Sequence, residues 1–263
     1  MAPQITRLGR TFGALDDLNQ YDWHGWDHAF IKQAGNNHTK ANVAIAQWRE
    51  LHPTGTLLFA VHGGYTWQNL ALPFSAVDSP GFQEEYLLHN ADGSRYLDAP
   101  TPLWVWDRSN HAGCEWLARK NAQLFRDRDT RPDGIYLDGI FQSPAGYNTP
   151  TGLPVGLSAQ GWFDGQILFL DTLRQELAGA KIWANGPAST AGADPVEYAP
   201  WLDGIVLEEQ IAYYHWTPMQ VRTVARAYKD VVIFGGATNQ ALPLAEAVVR
   251  VTPNAYLGKK ILW

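Results

Sequence analysis

Two hexapeptides in the chain share one pattern, Asp133-Gly134-Ile135-Tyr136-Leu137-Asp138 and Asp203-Gly204-Ile205-Val206-Leu207-Glu208. Each reads as a turn, an apolar strand and a terminal carboxylate. A carboxylate beside buried apolar residues is costly unless it is paired or used, and two such acids brought together acquire unequal pKa values. Acid-base cleavage of a glycosidic bond requires that inequality: one group is an anion able to attack or stabilise the anomeric carbon, and the other holds a proton for the leaving oxygen. The plainer role for either acid is to cap the following helix or to pair with an arginine. Two acids in matching frames weigh against that role. Glu209 competes with Glu208, because adjacent strand residues point to opposite faces; the frame match favours Glu208.

If Asp138 and Glu208 work together, they face one pocket. Carboxyls about 5 to 5.5 Å apart would retain anomeric configuration and about 6.5 to 9.5 Å would invert it; retention is the expectation. As general acid, Glu208 should have its pKa raised by Trp and Tyr neighbours and by the field of Asp138. Hydrogen bonds from donors such as Asn185 or a Trp N–H should keep Asp138 ionised. Other polar groups at strand ends are His62, Asp107, Asn110 and Asn185, each suited either to sugar hydroxyls or to capping its own loop. Trp67, Trp106 and Tyr136 offer flat faces for a sugar ring, Tyr136 least, since its strand-interior position is a core position.

The elements that must carry these groups alternate. Short apolar β-rich runs are expected as strands at Asp27–Ile31, Leu57–Val61, Leu103–Trp106, Ile135–Asp138, Lys181–Ala184, Ile205–Glu208, Val231–Phe234 and Lys260–Trp263. Helical periodicity falls between them, at Asn42–Leu51, Glu115–Phe125, Gln160–Leu177, Thr217–Tyr228 and Leu242–Val251. Eight strands with interleaved helices in 263 residues predict a single (β/α)8 TIM barrel over residues 1–263. In such a barrel an acid ending strand four or six sits at the mouth, where active sites lie. An open doubly wound sheet would usually bring a G-x-G-x-x-G turn, and none occurs. The eighth strand reaches Trp263, which leaves no closing helix among these residues.

Two segments exceed a minimal barrel. Leu70–Pro102 contains an Asp92-Gly93 turn typical of a hairpin, and Gln142–Ala159 is rich in Gly and Pro and follows the strand of Asp138, which makes it a candidate gate over the mouth.

Composition narrows the partners. A formal net charge of -6 without a Lys/Arg cluster argues against nucleic acid. No stretch approaches the roughly 20 apolar residues of a membrane span, and the start MAPQITRLGR lacks a signal-peptide apolar core. The expectation is a soluble chain, with export left open because a removed leader leaves no trace. The single cysteine, Cys114, excludes an internal disulfide and reads as a buried helix residue. Asp127, Asp129 and Asp133 do not have EF-hand spacing and are interleaved with arginines, so they belong to the stability face before the fourth strand. No H-E-x-x-H, G-x-S-x-G or phosphate loop is present, and no metal or cofactor is expected. Twelve Trp and eleven Tyr suit a carbohydrate partner; most of them should still be packing.

The phrases D-G-I-Y-L-D-G-I-F from Asp133 and L-D-G-I-V-L-E-E from Leu202, with H-N-A-D-G from His89 and W-V-W-D-R-S-N from Trp104, resemble the glycoside-hydrolase barrels related to endo-α-1,4-polygalactosaminidases. More distantly they resemble the α-galactosidase-type clan. The resemblance spans most of the barrel and implies an α-linked oligo- or polysaccharide substrate, with Asp138 as nucleophile and Glu208 as acid/base. The α-galactosidase-type acid is an Asp where this chain has Glu208. A barrel that keeps the cleft and only binds carbohydrate is the alternative, and fold alone does not separate the two.

Overall fold

The computed structural model describes residues 5–11, 28–32, 43, 46, 49–50, 53–67, 79–98, 103–127, 132–140, 157–186, 194–207, 216–234 and 255–260. Eight strands lie in one parallel sheet: β1 (Ile5–Thr11), β2 (His28–Lys32), β3 (Thr56–His62), β7 (Gly134–Asp138), β8 (Lys181–Asn185), β9 (Gly204–Leu207), β10 (Asp230–Phe234) and β11 (Ala255–Lys260). They hydrogen-bond in the order β1-β11-β10-β9-β8-β7-β3-β2, and β2 pairs with β1 to close the sheet. The remaining strands, β4 (Tyr65–Trp67), β5 (Leu97–Asp98) and β6 (Leu103–Val105), form a small antiparallel sheet between β3 and β7 in the chain.

Three helices are described from end to end: α1 (His111–Arg126), α2 (Ala159–Glu176) and α3 (Pro218–Ala227). Each starts where its sequence supplies a cap: the Asn110 side chain accepts from Gly113 N, Ser158 from Gly161 N, and Thr217 forms a capping box with Gln220 ahead of Pro218. Residues 43, 46, 49 and 50 are also helical, between β2 and β3. Among the described residues no helix is long and apolar enough to cross a membrane.

The strand assignment needs three corrections. Leu103–Val105, expected in the barrel, is instead the middle strand of the side sheet. Its apolar side chains are buried, but its partners are antiparallel and lie outside the barrel ladder. Ile5–Thr11 is a barrel strand that the sequence does not advertise: only Ile5 and Leu8 are large apolar residues, and the strand is specified by pairing with β2 and β11. The last strand runs over Ala255–Lys260, because its register with β10 starts at Val231 opposite Ala255. The expected strand Lys260–Trp263 meets it at Lys260, and residues 261–263 lie outside the described residues. One strand missed and one over-counted cancel, so Asp138 still ends the fourth barrel strand and Glu208 still follows the sixth. His62 ends the third barrel strand rather than the second, and Asp107 and Asn110 follow a side-sheet strand. The Asp92-Gly93 turn is a hairpin: Gly93 has φ of 83°, and His89 and Arg95 form an antiparallel bridge across it.

The repeated Asp-Gly pair has a structural purpose that sequence reading took for a simple turn. Asp133 accepts the Leu57 N–H on its carboxylate at 2.7 Å and pairs with Arg49 at 2.7 Å, while its own N–H donates to the Leu57 carbonyl. Asp203 repeats the pattern two strands further round the barrel. Its carboxylate accepts the Ile182 N–H at 3.0 Å and pairs with Arg174 and Lys229, both at 2.9 Å, and its N–H donates to the Ile182 carbonyl. Each Asp therefore clasps the strand before it at the N-terminal rim. The following glycines are required by other neighbours: a Cβ on Gly134 would lie 1.8 Å from the Lys181 carbonyl oxygen of the next strand, and one on Gly204 would lie 2.5 Å from the Trp183 ring.

Burial alone would raise the Asp203 pKa, but the hydrogen bonds from Lys229, Ile182 N–H and Arg174 outweigh it and hold the carboxyl below its ordinary value. A carboxyl with a depressed folded-state pKa contributes stability above its unfolded pKa of about 4 and loses it as pH falls through the folded value. Asp203→Asn should therefore cost about 1 to 3 kcal/mol at neutral pH. It should also flatten the decline of stability in acid below about pH 4, as read by urea unfolding at a series of pH values. An unchanged acid limb would exclude the clasp as a source of pH-dependent stability.

Candidate functional site

Side-chain alternation in β3 and β7 to β10 separates two sets. Leu58, Tyr136, Trp183, Val206 and Val232 form one buried cluster, one residue from each strand. Their strand neighbours Phe59, Ile135, Leu137, Ile182, Ala184, Ile205, Val231 and Ile233 belong to the larger core that includes the helices. The first set is the barrel interior and the second is the layer between sheet and helices. Asp138 lies two residues beyond Tyr136, and Asn185 two beyond Trp183, so both belong to the interior face. Both are partly exposed at the C-terminal ends of their strands, above a floor of fully buried aromatic rings.

Asn185 Nδ2 donates to Asp138 Oδ1 at 3.2 Å, a contact made possible by the adjacency of β7 and β8. The backbone of Asp138 is held from the other side. His62 is its register partner on β3, and the N–H groups of Gly63 and Gly64 both donate to its carbonyl, at 2.7 and 3.3 Å. Gly139 then turns the chain with φ of 73°. Glycine is needed opposite as well, since a Cβ on Gly64 would lie 2.3 Å from the Gly139 carbonyl oxygen. Asp138 is thus anchored through its backbone by one neighbouring strand and through its carboxylate by the other.

The other expected site residues separate into groups. Asp107 accepts from the N–H and hydroxyl of Ser109 at 2.8 and 2.6 Å, closing a local turn. Asn110 caps α1 and donates to the Glu85 carbonyl at 2.8 Å, so these two perform the loop-capping role weighed for them. Trp106 is buried to 2% exposure within a cluster of Phe82, Tyr86 and Trp116, with its ring centroid 6.3 Å from Phe82 and 6.0 Å from Trp116. Its face is occupied by packing, and Tyr136 is likewise core, on the barrel floor. Trp67 is paired with Leu103 in the side sheet. Cys114 is a buried residue of α1, its thiol pKa pushed up by burial. Glu208 and Glu209 lie outside the described residues, beyond Leu207, and so does the 142–156 part of the expected gating loop; Ser158 in its last turn is the cap of α2. Among the described residues no three His, Cys, Asp or Glu side chains cluster as a metal site.

Sequence reasoning missed Gly63 and Gly64, which hold the Asp138 carbonyl, and Gln166 on α2, which reaches the backbone just beyond it. A Gly-Gly pair directly after a strand was the one available signal for the former.

No family model and no curated protein sequence matches the chain. Solved structures do. The glycoside hydrolase domain of PelA from Pseudomonas aeruginosa aligns with a TM-score of 0.56 at 13% identity, covering 97% of this chain and 94% of that one. A GH36 α-galactosidase, AgaA from Geobacillus stearothermophilus, aligns with a TM-score of 0.60 at 10% identity, covering 98% of this chain and 39% of its own. An endo-β-N-acetylglucosaminidase from Cordyceps militaris aligns with a TM-score of 0.52 at 12% identity, over 98% of this chain and 82% of that one. At such identities the likeness defines the fold: an α/β chain with the parallel curled sheet found in glycoside hydrolases. The chain spans about two fifths of the α-galactosidase.

The burial of Trp106 separates its two readings by experiment. Trp106→Ala should destabilise the fold by roughly 3 to 5 kcal/mol in denaturant unfolding, as expected for an excised core aromatic. A ring serving only as a sugar platform would leave unfolding unchanged.

Proposed function

We propose that this chain is a glycoside hydrolase acting on an O-glycosidic bond of an oligo- or polysaccharide, on a complete (β/α)8 barrel spanning residues 1–263 as one catalytic domain. The observation that carries the reading is Asp138: a carboxylate at the C-terminal end of an interior barrel strand, gripped by Asn185, in a fold that glycoside hydrolases share. In this reading Asp138 is the nucleophile. Asn185 donates to its ionised form and also reaches a sugar hydroxyl. Glu208 is the general acid/base, a reading supported by its place in the repeated phrase two residues beyond Val206, which belongs to the interior cluster.

The reaction is a double displacement with retention on an α-linked substrate, in keeping with the resemblance to polygalactosaminidase-related and α-galactosidase-type barrels. Asp138 attacks the anomeric carbon as Glu208 protonates the leaving oxygen. Water then attacks the glycosyl-enzyme ester, its proton passing to Glu208, and Asp138 is released as a carboxylate. His62, Trp67 and Glu209 are the residues from which sugar contacts would be drawn. Asp107 and Asn110 would contribute through the loop they cap, and Trp106 through the packing behind it. The 142–156 segment, attached just after Asp138, would gate the mouth.

A reducing-sugar assay over a polysaccharide panel tests the reading. Asp138→Asn should abolish turnover on every leaving group, because no leaving group replaces a missing nucleophile. Glu208→Gln should lose roughly two to four orders of magnitude on poor leaving groups while activated aryl glycosides are partly spared. Asn185→Ala should lower kcat by about 10- to 100-fold, the worth of a hydrogen bond to a charged group. Binding without turnover, unchanged in Asp138→Asn, would instead identify a carbohydrate-binding barrel. Equal losses for Glu208→Gln on good and poor leaving groups would move the acid role to Glu209.

A further inference from the structure

Behind β7, on the side away from the barrel interior, buried polar groups connect the segments that follow three consecutive strands. Tyr198, fully buried at the end of the 3-10 helix Pro195–Tyr198 after β8, donates its hydroxyl to Gln166 Oε1 on α2. Gln166, 2% exposed, donates from Nε2 to the Ile140 carbonyl at 2.6 Å. Tyr228, the C-cap residue of α3 after β9, donates to the Pro195 carbonyl at the start of the same 3-10 helix. Burial raises the pKa of both tyrosines far above the ordinary phenol value, so their hydroxyls remain donors throughout the working range.

Ile140 is two residues past Asp138, and between them stands Gly139 in the left-handed region. A glycine there is a pivot with little intrinsic preference. The chain before the pivot is fixed by the β3 ladder and the Gly63 and Gly64 amides; the chain after it is fixed by Gln166. An amide suits this place because it accepts from the phenol and donates to the carbonyl at once, and a carboxylate or an ammonium does only one of these. Close packing brings the amide within reach: a Cβ on Gly165 would lie 1.6 Å from the Arg108 carbonyl oxygen, so α2 lies against the loop ahead of α1 only because residue 165 has none.

We propose that Gln166 and Tyr198 are positioning residues that set the Asp138 carboxylate from outside the barrel by locking the turn Asp138-Gly139-Ile140. For its catalytic consequence this rests on Asp138 being the nucleophile. Tyr198 packs in the core shared with the helices and Gln166 stands on α2, and each acts through Ile140.

Three variants test it: Gln166→Met and Tyr198→Phe, which cut the chain of bonds to Ile140 with little change of volume, and Tyr228→Phe, which removes a comparable buried hydrogen bond at the far end of the 3-10 helix, one that reaches Ile140 only through Tyr198. In the first two, kcat should fall roughly tenfold to a hundredfold with KM within about twofold, the signature of a misplaced reacting group. In Tyr228→Phe, kcat should stay near wild type at temperatures well below unfolding. Amide exchange of Gly63 and Gly64, whose N–H groups donate to the Asp138 carbonyl, gives a readout that needs no substrate. It should accelerate in Gln166→Met and Tyr198→Phe beyond the fall in global stability, and only in step with it in Tyr228→Phe. Exchange that follows global stability in all three variants, or equal kcat losses in all three, overturns the proposal. If the wild type cleaves no glycoside or Asp138→Asn retains activity, the glycosidase reading fails by itself, and the exchange data alone decide whether Gln166 and Tyr198 lock the turn.

Discussion

The pleat of β7 is the constraint on which the site depends. In a sheet that closes on itself, alternate residues of every strand go to the interior or to the helix layer, and nothing but sequence parity decides which. Tyr136 fills the interior, so Asp138 is committed to the same face, while Ile135 and Leu137 pack toward the helices. A one-residue slip of β7 would send the carboxylate into the apolar helix layer and Leu137 into the mouth. Register therefore decides which face Asp138 takes, and the clasps at the N-terminal rim tie it down. Asp133 and Asp203 each seize both the N–H and the carbonyl of a preceding-strand residue, Leu57 and Ile182.

The same hexapeptide thus does different work at its two ends. Its first residue is a structural acid, satisfied by backbone amides and cationic partners at the closed end of the barrel. In the first copy the last residue, Asp138, is an acid at the open end, above the Tyr136 and Trp183 floor, where it accepts from the Asn185 side-chain amide. The glycine that follows the first Asp is demanded by the close approach of the next strand at one copy and of the Trp183 ring at the other. Burial without partners would be costly for either acid: Asp133 and Asp203 are paired at the closed end, and Asp138, partly exposed at the other, accepts from Asn185.

Around this frame the chain adds an elaborate insertion between β3 and β7. The aromatic cluster of Phe82, Tyr86, Trp106 and Trp116 is built on α1, while the side sheet and the hairpin bury Leu88, Tyr96, Leu103 and Val105 with Trp162 of α2. Much of the aromatic richness of the sequence is consumed here and on the barrel floor, in packing rather than on a surface. The insertion leaves β3 through Gly63-Gly64, whose amides hold Asp138, and returns to the Gly64 carbonyl through the Trp106 amide. Its attachment point is thus part of the support of the site.

The sequence by itself determined the α/β class, the helix that opens at Thr217-Pro218 and the strand that presents Asp138, because these depend on local capping chemistry and on apolar runs that need no partner to be recognised; α1 opens at His111, four residues ahead of the expected Glu115, because Asn110 caps it there. It also identified Asn185 as a donor for Asp138. Tertiary structure decided the rest. Ile5–Thr11 is a strand only because β2 and β11 flank it, and Leu103–Val105 is a side-sheet strand because its partners run antiparallel; an apolar run does not say which neighbours it will meet. Trp106 is core and not platform because Phe82 and Trp116 cover it, and burial is a property of the neighbours. Gln166 and Tyr198 carried no local signal, since a glutamine in a helix and a tyrosine in a loop become a strut only when α2 and the 3-10 helix are brought together behind β7, across separations of 26 and 32 residues.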